Sequence, residues 1–235
     1  MKHPEFIYAA NAKFCQATTD EGFTIIDEAP EILEKLPENT YIAQRQQLDF
    51  QVNEGVSYIG NRDYLQLLPY VVVVTEGTVL TADTKVFVYQ RVKGTSENRL
   101  LGNVSIGIGG HIDMIDTVIS NDYENESAVD VVGTIINSTR RELAEELKAL
   151  IPGEEDFHPF DAPIRFVGFM RDTTNEVGNL HFGIICLASA EGYTLSGNED
   201  QINSLDPMTP RELISSDLPL ENWTRILCEW LVNNQ

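Results

Sequence analysis

Apolar and polar positions change rhythm several times along the chain, and each rhythm predicts a different element. Gln66 to Thr75 is a β-branched run, the pattern of a strand buried on both faces. Lys85 to Val92 and Leu101 to Ile108 read as further strands, the second running into Gly109-Gly110. Residues 112 to 126 are acidic and polar and read as a loop. Ser127 with Asp130 resembles a capping box, and a helix is expected from about Ala128 to Leu150, where Pro152-Gly153 stops it. Its apolar stripe is Val132, Ile136, Leu143, Leu147 and Leu150, and Gly133 weakens it locally. Strands follow at Ile164 to Met170 and Leu180 to Ser189, then a short helix at Thr209 to Ser215. A terminal helix over Leu218 to Val232 turns Trp223, Ile226, Leu227, Trp230 and Leu231 to the core. Residues 1–60 read as an irregular section with a short strand at Phe23 to Ile26 and a helical turn or two at Pro30 to Leu36. Strands, helix, strands and helices in this order predict an α/β or α+β layered domain with a mixed central sheet. The expected organisation is an extension over 1–60 and one domain over 61–235.

The chemistry is concentrated in Arg141-Glu142-Leu143-Ala144-Glu145-Glu146. At about 100° per residue, Glu142, Glu145 and Glu146 share one helix face, with Leu143 and Leu147 roughly a quarter turn away. Such a helix can pack on a sheet while aiming carboxylates into a cleft. Like charges this close repel unless a cation sits among them, and clustered hard oxygens suit Mg²⁺ or Mn²⁺. A solvated Glu-rich helix surface has the same composition, so the upstream Gly109-Gly110 turn matters: it supplies a carbonyl oxygen ahead of the acidic helix.

This segment resembles the Nudix box: a glycine, five residues, a glutamate, seven residues, then Arg-Glu-aliphatic-x-Glu-Glu-x-Gly-aliphatic. Arg141, Glu142, Leu143, Glu145 and Glu146 match the second half, Gly110 the first glycine, and Asp116 stands at the position of the first glutamate. Two departures stand out. Between Asp116 and Arg141 lie 24 residues where the box has seven, an insertion of 17, and Lys148 replaces the late glycine. The insertion leaves Asp113, Asp116, Glu124 and Glu126 as alternatives for the mid-box acid, and Lys148 suggests that the helix continues.

The resemblance covers residues 66 to 235 and implies a Nudix-like α/β/α sandwich and a cytoplasmic hydrolase of phosphoanhydride bonds. It implies Gly109, through its carbonyl, and Glu145 and Glu146 as ligands of Mg²⁺ or Mn²⁺, Glu142 as ligand or general base, and Arg141 as the ion-pairing holder of the cluster. An acid from outside the box is Glu176 first, then Glu199 or Asp200. His111, Arg91 and Arg99 are candidates for touching substrate, with surface ion pairing an equal alternative for the arginines. For Tyr70, Tyr89 and His181 core packing is the better reading.

Charge then narrows the substrate. The 235 residues carry a formal net charge of −21 and a pI near 4.4, which repels nucleic-acid polymers and anionic membranes; a small nucleotide bound through metal is compatible. Three dispersed cysteines, Cys15, Cys186 and Cys228, offer neither a zinc spacing nor a disulfide framework. No signal peptide is read at the N-terminus, and the longest apolar stretch is too short to span a bilayer. Gly107-Ile108-Gly109 lacks the third glycine of a dinucleotide fingerprint. Three functions stay open: an active diphosphate hydrolase, a catalytically silent nucleotide-binding or sensor module, and an allylic-diphosphate isomerase, which would need a cysteine in the cleft. Residues 1–60 are open as a sheet edge or a dimer contact, which makes a homodimer one partner state.

Overall fold

A computed structural model of the protein describes residues 5–28, 31–48, 50–53, 56–59, 62–92, 101–120, 128–176, 178–198 and 202–234. Among them the fold is α+β, with a ten-stranded sheet, three smaller sheets and helices. The chain forms two compact units: Met1–Pro69, Gly110–Thr139 and Val167–Ile185 make the first, and Tyr70–Gly109, Arg140–Phe166 and Cys186–Gln235 the second.

The first unit corrects the reading of an irregular N-terminus. Strand Phe6–Asn11 pairs antiparallel with strand Thr40–Gln44 (Tyr8 opposite Ile42) and with the start of strand Tyr64–Val74 (Ala9 opposite Gln66). Ile7, Tyr8, Ala9 and Ala10 are all buried, so the strand has no polar face and no alternation to read. Asn11 ends it and caps helix Ala12–Thr18, its side-chain oxygen accepting from the Lys13 and Phe14 N–H groups at 3.0 and 3.2 Å. Strand Gly22–Ile25 pairs with Gly168 to Arg171 of strand Arg165–Arg171.

The expected loop over 112 to 126 also carries structure. A 3₁₀ turn, Met114–Asp116, precedes a hairpin of strands Val118–Ser120 and Ala128–Asp130, with Ile119 opposite Val129. Six of the residues between Asp116 and Arg141 are therefore paired strand. The following helix spans Val131–Glu146, shorter at both ends than expected. Ser127 lies outside the described residues; the N-terminal cap is Asp130, whose Oδ1 accepts from Gly133 N–H at 2.8 Å. A side chain at Gly133 would run into that carboxylate, which explains glycine inside a helix.

In the second unit the buried run holds: Val71, Val72, Val73 and Val74 are fully buried. Val71 and Val72 pair with Ile108 and Gly107 of strand Gly107–Ile108, and Val74 pairs with Val86 of strand Val86–Arg91. Tyr89 lies opposite Ser105 of strand Val104–Ser105 on one edge and Ser204 of strand Ile202–Met208 on the other. The Tyr70 ring packs where a Gly107 Cβ would sit, and its hydroxyl meets Thr224 Oγ1 at 2.9 Å. Both Tyr70 and Tyr89 are buried, as core packing requires. Helix Pro210–Ser215 starts at the Thr209 cap, and helix Asn222–Asn233 buries Thr224, Leu227, Cys228 and Leu231, with Trp223, Ile226 and Trp230 half-buried.

Candidate functional site

The acidic helix does not continue through Lys148. It stops at Glu146, and strand Leu147–Leu150 begins at once, pairing with strands Thr194–Gly197 and Phe157–Pro159. Lys148 is a strand residue opposite Ser196 and Pro159, so the chain turns where the box glycine would turn it. Helical periodicity cannot see this stop, because Leu147 and Leu150 both extend the helix stripe, whereas in the strand Leu147 and Ala149 face inward and Leu150 does not.

The helix buries only part of the expected stripe, Leu143, with Leu147 buried just beyond its end. Val131, Thr134, Ile135, Ser138, Thr139, Leu143 and Leu147 are buried, while Val132 and Ile136 are only half-buried. The spacing of three and four residues continues through Glu142 and Glu146, so both lie on the inward row, one turn apart. Glu145, with a side chain 52% exposed, faces solvent, and that of Glu142 is 12% exposed.

Arg141 joins one inward and one solvent-facing acid. Its Nη1 donates to Glu142 Oε1 at 2.8 Å and to Glu145 Oε2 at 3.3 Å. Among the described residues no three His, Cys, Asp or Glu side chains form a metal-binding group. The donor types still fit a hard divalent cation. The inward row places two carboxylates a turn apart, and the last helical turn contains no basic residue.

Arg91 occupies a buried network. Its Nε donates to Glu221 Oε1 at 2.7 Å and its Nη2 to the Tyr89 hydroxyl at 3.0 Å. The Tyr89 hydroxyl donates in turn to the Gly107 carbonyl at 2.7 Å, two residues before Gly109. Burial opposes the Arg91 charge, but the carboxylates of Glu221 and Glu146 outweigh it and raise its pKa. Burial likewise drives the Tyr89 hydroxyl well above its ordinary value, so it is a neutral donor. Glu221, 7% exposed, was not legible in the sequence; no pattern marks it apart from other acids.

His111, in the first unit, stacks at a tilt against His181 with ring centroids 5.6 Å apart. Burial, then Arg45 and His181, push its pKa well below 6.5. Glu176 is exposed in the same unit. Asp116 is buried; its Oδ2 accepts from Asp113 N–H at 3.0 Å and its carbonyl from Asn137 at 3.1 Å, which gives this mid-box alternative a turn-building role. Arg99, Glu124, Glu126, Glu199 and Asp200 lie outside the described residues. Cys186 is fully buried, and burial pushes the Cys15 and Cys228 thiols up to about 12.

No family model matches the chain. Among solved structures it is similar to Tm1382, a provisionally assigned Nudix hydrolase, at 20% identity and TM-score 0.65 over 98% of this chain and 100% of that one. It is also similar to a Nudix hydrolase from Alicyclobacillus acidocaldarius, at 17% identity and TM-score 0.50 over 72% of this chain and 91% of that one. The fold is the Nudix fold, as the box resemblance implied. In sequence the chain is 30% identical to protein YmaB of Bacillus subtilis (strain 168) over 171 residues, 72% of this chain and 71% of that protein, and it belongs to the same family.

Proposed function

We propose that the protein is a metal-dependent hydrolase of the Nudix type that cleaves a phosphoanhydride bond in a nucleoside diphosphate linked to another group. The observation that carries the proposal is the end of the acidic helix: Glu142 and Glu146 on the inward row, with Arg141 clasping Glu142 and Glu145. On this reading Glu142, Glu145, Glu146 and the Gly109 carbonyl hold Mg²⁺ or Mn²⁺, with Glu176 as an acid from outside the box. Bound there, such a cation neutralises diphosphate charge and lowers the pKa of a ligated water. Glu142 acts as a ligand or as the base that accepts the water's proton. Arg141 fixes the carboxylates it pairs with. Arg91, His111 and Arg99 are proposed to face substrate; for Arg91 this means sharing a guanidinium already committed to Glu221 and Tyr89.

Residues 61–235 form the hydrolase domain on this reading and 1–60 its extension, which is also the proposed homodimer contact. A cytoplasmic location belongs to the same proposal. Among the described residues no helix is long and apolar enough to cross a membrane. One observation favours a second reading, a catalytically silent nucleotide-binding or sensor module: the lack of three converging metal-binding side chains among the described residues. A panel of nucleoside diphosphate derivatives with Mg²⁺ or Mn²⁺, and again with chelator, separates the two. Turnover abolished by chelator supports the hydrolase; saturable binding with no turnover on any member supports the sensor.

A further inference from the structure

The last turn of the acidic helix is electrostatically unfavourable. Its final carbonyls lack helical partners and carry the negative end of the helix dipole, yet the turn bears Glu145 and Glu146 and no basic residue, the nearest cation being Arg141 one turn back on Glu142 and Glu145. Such a turn frays unless something outside the helix holds it. One residue does: Asn198 donates its backbone N–H to the Glu146 carbonyl at 2.7 Å and its side-chain Nδ2 to the Glu145 carbonyl at 2.9 Å.

Asn198 is itself fixed. Strand Thr194–Gly197 is registered on Leu147–Leu150, with Gly197 opposite Leu147, so the bond to Glu146 continues that ladder by one residue. Gly197 N–H is anchored on Ser204 Oγ at 2.9 Å. A Cβ on Gly197 would stand 2.8 Å from Ile202 Cγ1, so glycine permits this approach. The helix stop that periodicity missed is thus set by the neighbouring strand, through two donors of one residue, its backbone N–H and its side-chain amide.

We propose that Asn198 is a positioning residue for the metal-holding carboxylates, tying the backbone of Glu145 and Glu146 so that their side chains keep the orientation a divalent cation requires. The inference rests on the hydrolase reading above for its functional meaning. Residues that orient ligands without touching metal typically cost about 10–100-fold in metal affinity when changed.

The test is Mn²⁺ titration calorimetry on the wild type, Asn198→Asp, Asn198→Ala and Asn198→Gln, with amide exchange followed across residues 140–150. Asn198→Asp keeps the shape and loses the side-chain donor. The expected result is at least a tenfold rise in the Mn²⁺ dissociation constant for Asp and Ala, with faster exchange at 143–147. Asn198→Gln, which keeps the amide, is expected to recover most of the affinity. A purely structural role would lower the melting temperature in chelator and leave the affinity of the folded protein unchanged. Dissociation constants within twofold of wild type in both the Asp and Ala variants overturn the proposal. A wild type that binds Mn²⁺ but hydrolyses no nucleotide overturns the hydrolase reading and leaves the Asn198 comparison intact.

Discussion

Arg91 Nε lies 2.7 Å from Glu221 Oε1, and the two side chains are only 18% and 8% exposed. A pair this far from water has lost much hydration on both sides, so removing one partner strands the other. Glu221→Gln is expected to lower unfolding free energy by about 3–5 kcal/mol. The double change Arg91→Met with Glu221→Leu is expected to cost less than either single charge removal. Urea denaturation checks both. A loss below about 1 kcal/mol for Glu221→Gln would place the pair among solvent-screened ion pairs.

Gly133 lies inside a helix, where alanine ordinarily gains about 1 kcal/mol. Here the sign is expected to reverse. A Cβ at 133 collides with the Asp130 carboxylate, which caps Gly133 N–H. Either the carboxylate holds its place and the clash strains the first turn, or it swings away and the cap, about 1 kcal/mol, is lost, while a first-turn site gains less from alanine than the helix interior. Gly133→Ala should therefore destabilise the wild type, yet stabilise an Asp130→Ala background, where the obstacle is gone. Thermal melts of the four proteins in this cycle decide it; stabilisation by Gly133→Ala in the wild type would contradict the assignment of Asp130 as the cap.

His111 gives a pH signature. Burial, then the charges of Arg45 and His181, hold its folded pKa well below the ordinary 6.5. Above 6.5 the imidazole is neutral in both states and contributes no slope. Below 6.5 the unfolded chain takes up a proton that the folded protein refuses, so stability falls as pH falls. The slope from this group approaches about 1.4 kcal/mol per pH unit until the lower folded pKa is reached. Denaturation midpoints between pH 7 and 5 for the wild type and His111→Phe measure it. A slope unchanged by the substitution would assign the acid sensitivity elsewhere.

The strands Tyr64–Val74, Val86–Arg91, Arg165–Arg171 and His181–Ser189 and both C-terminal helices were legible because each sits between turn signals and carries one strong period. The N-terminal strand Phe6–Asn11 was not, because a short strand buried on both faces has no alternation and its two alanines have no β preference. The helix end at Glu146 was not, because what stops the helix is Asn198, 52 residues downstream. The acidic segment was legible as a motif, and in the structure Arg141 bonds to two of its glutamates, Glu142 and Glu145. The Arg91–Glu221 pair was half legible: Arg91 stood out as a cation, whereas its partner lies 130 residues away and is revealed only by the fold.

The inward carboxylates Glu142 and Glu146 are expected to carry metal-dependent hydrolysis. The most direct measurement is kcat/KM against Mg²⁺ concentration for the wild type, Glu142→Gln and Glu146→Gln, on whichever nucleoside diphosphate derivative the wild type turns over fastest. Each variant is expected to lose about a hundredfold or more, the scale of removing a principal electrostatic group, while retaining its far-ultraviolet circular dichroism. Activity within threefold of wild type in both variants, or turnover that persists in chelator, would contradict the claim.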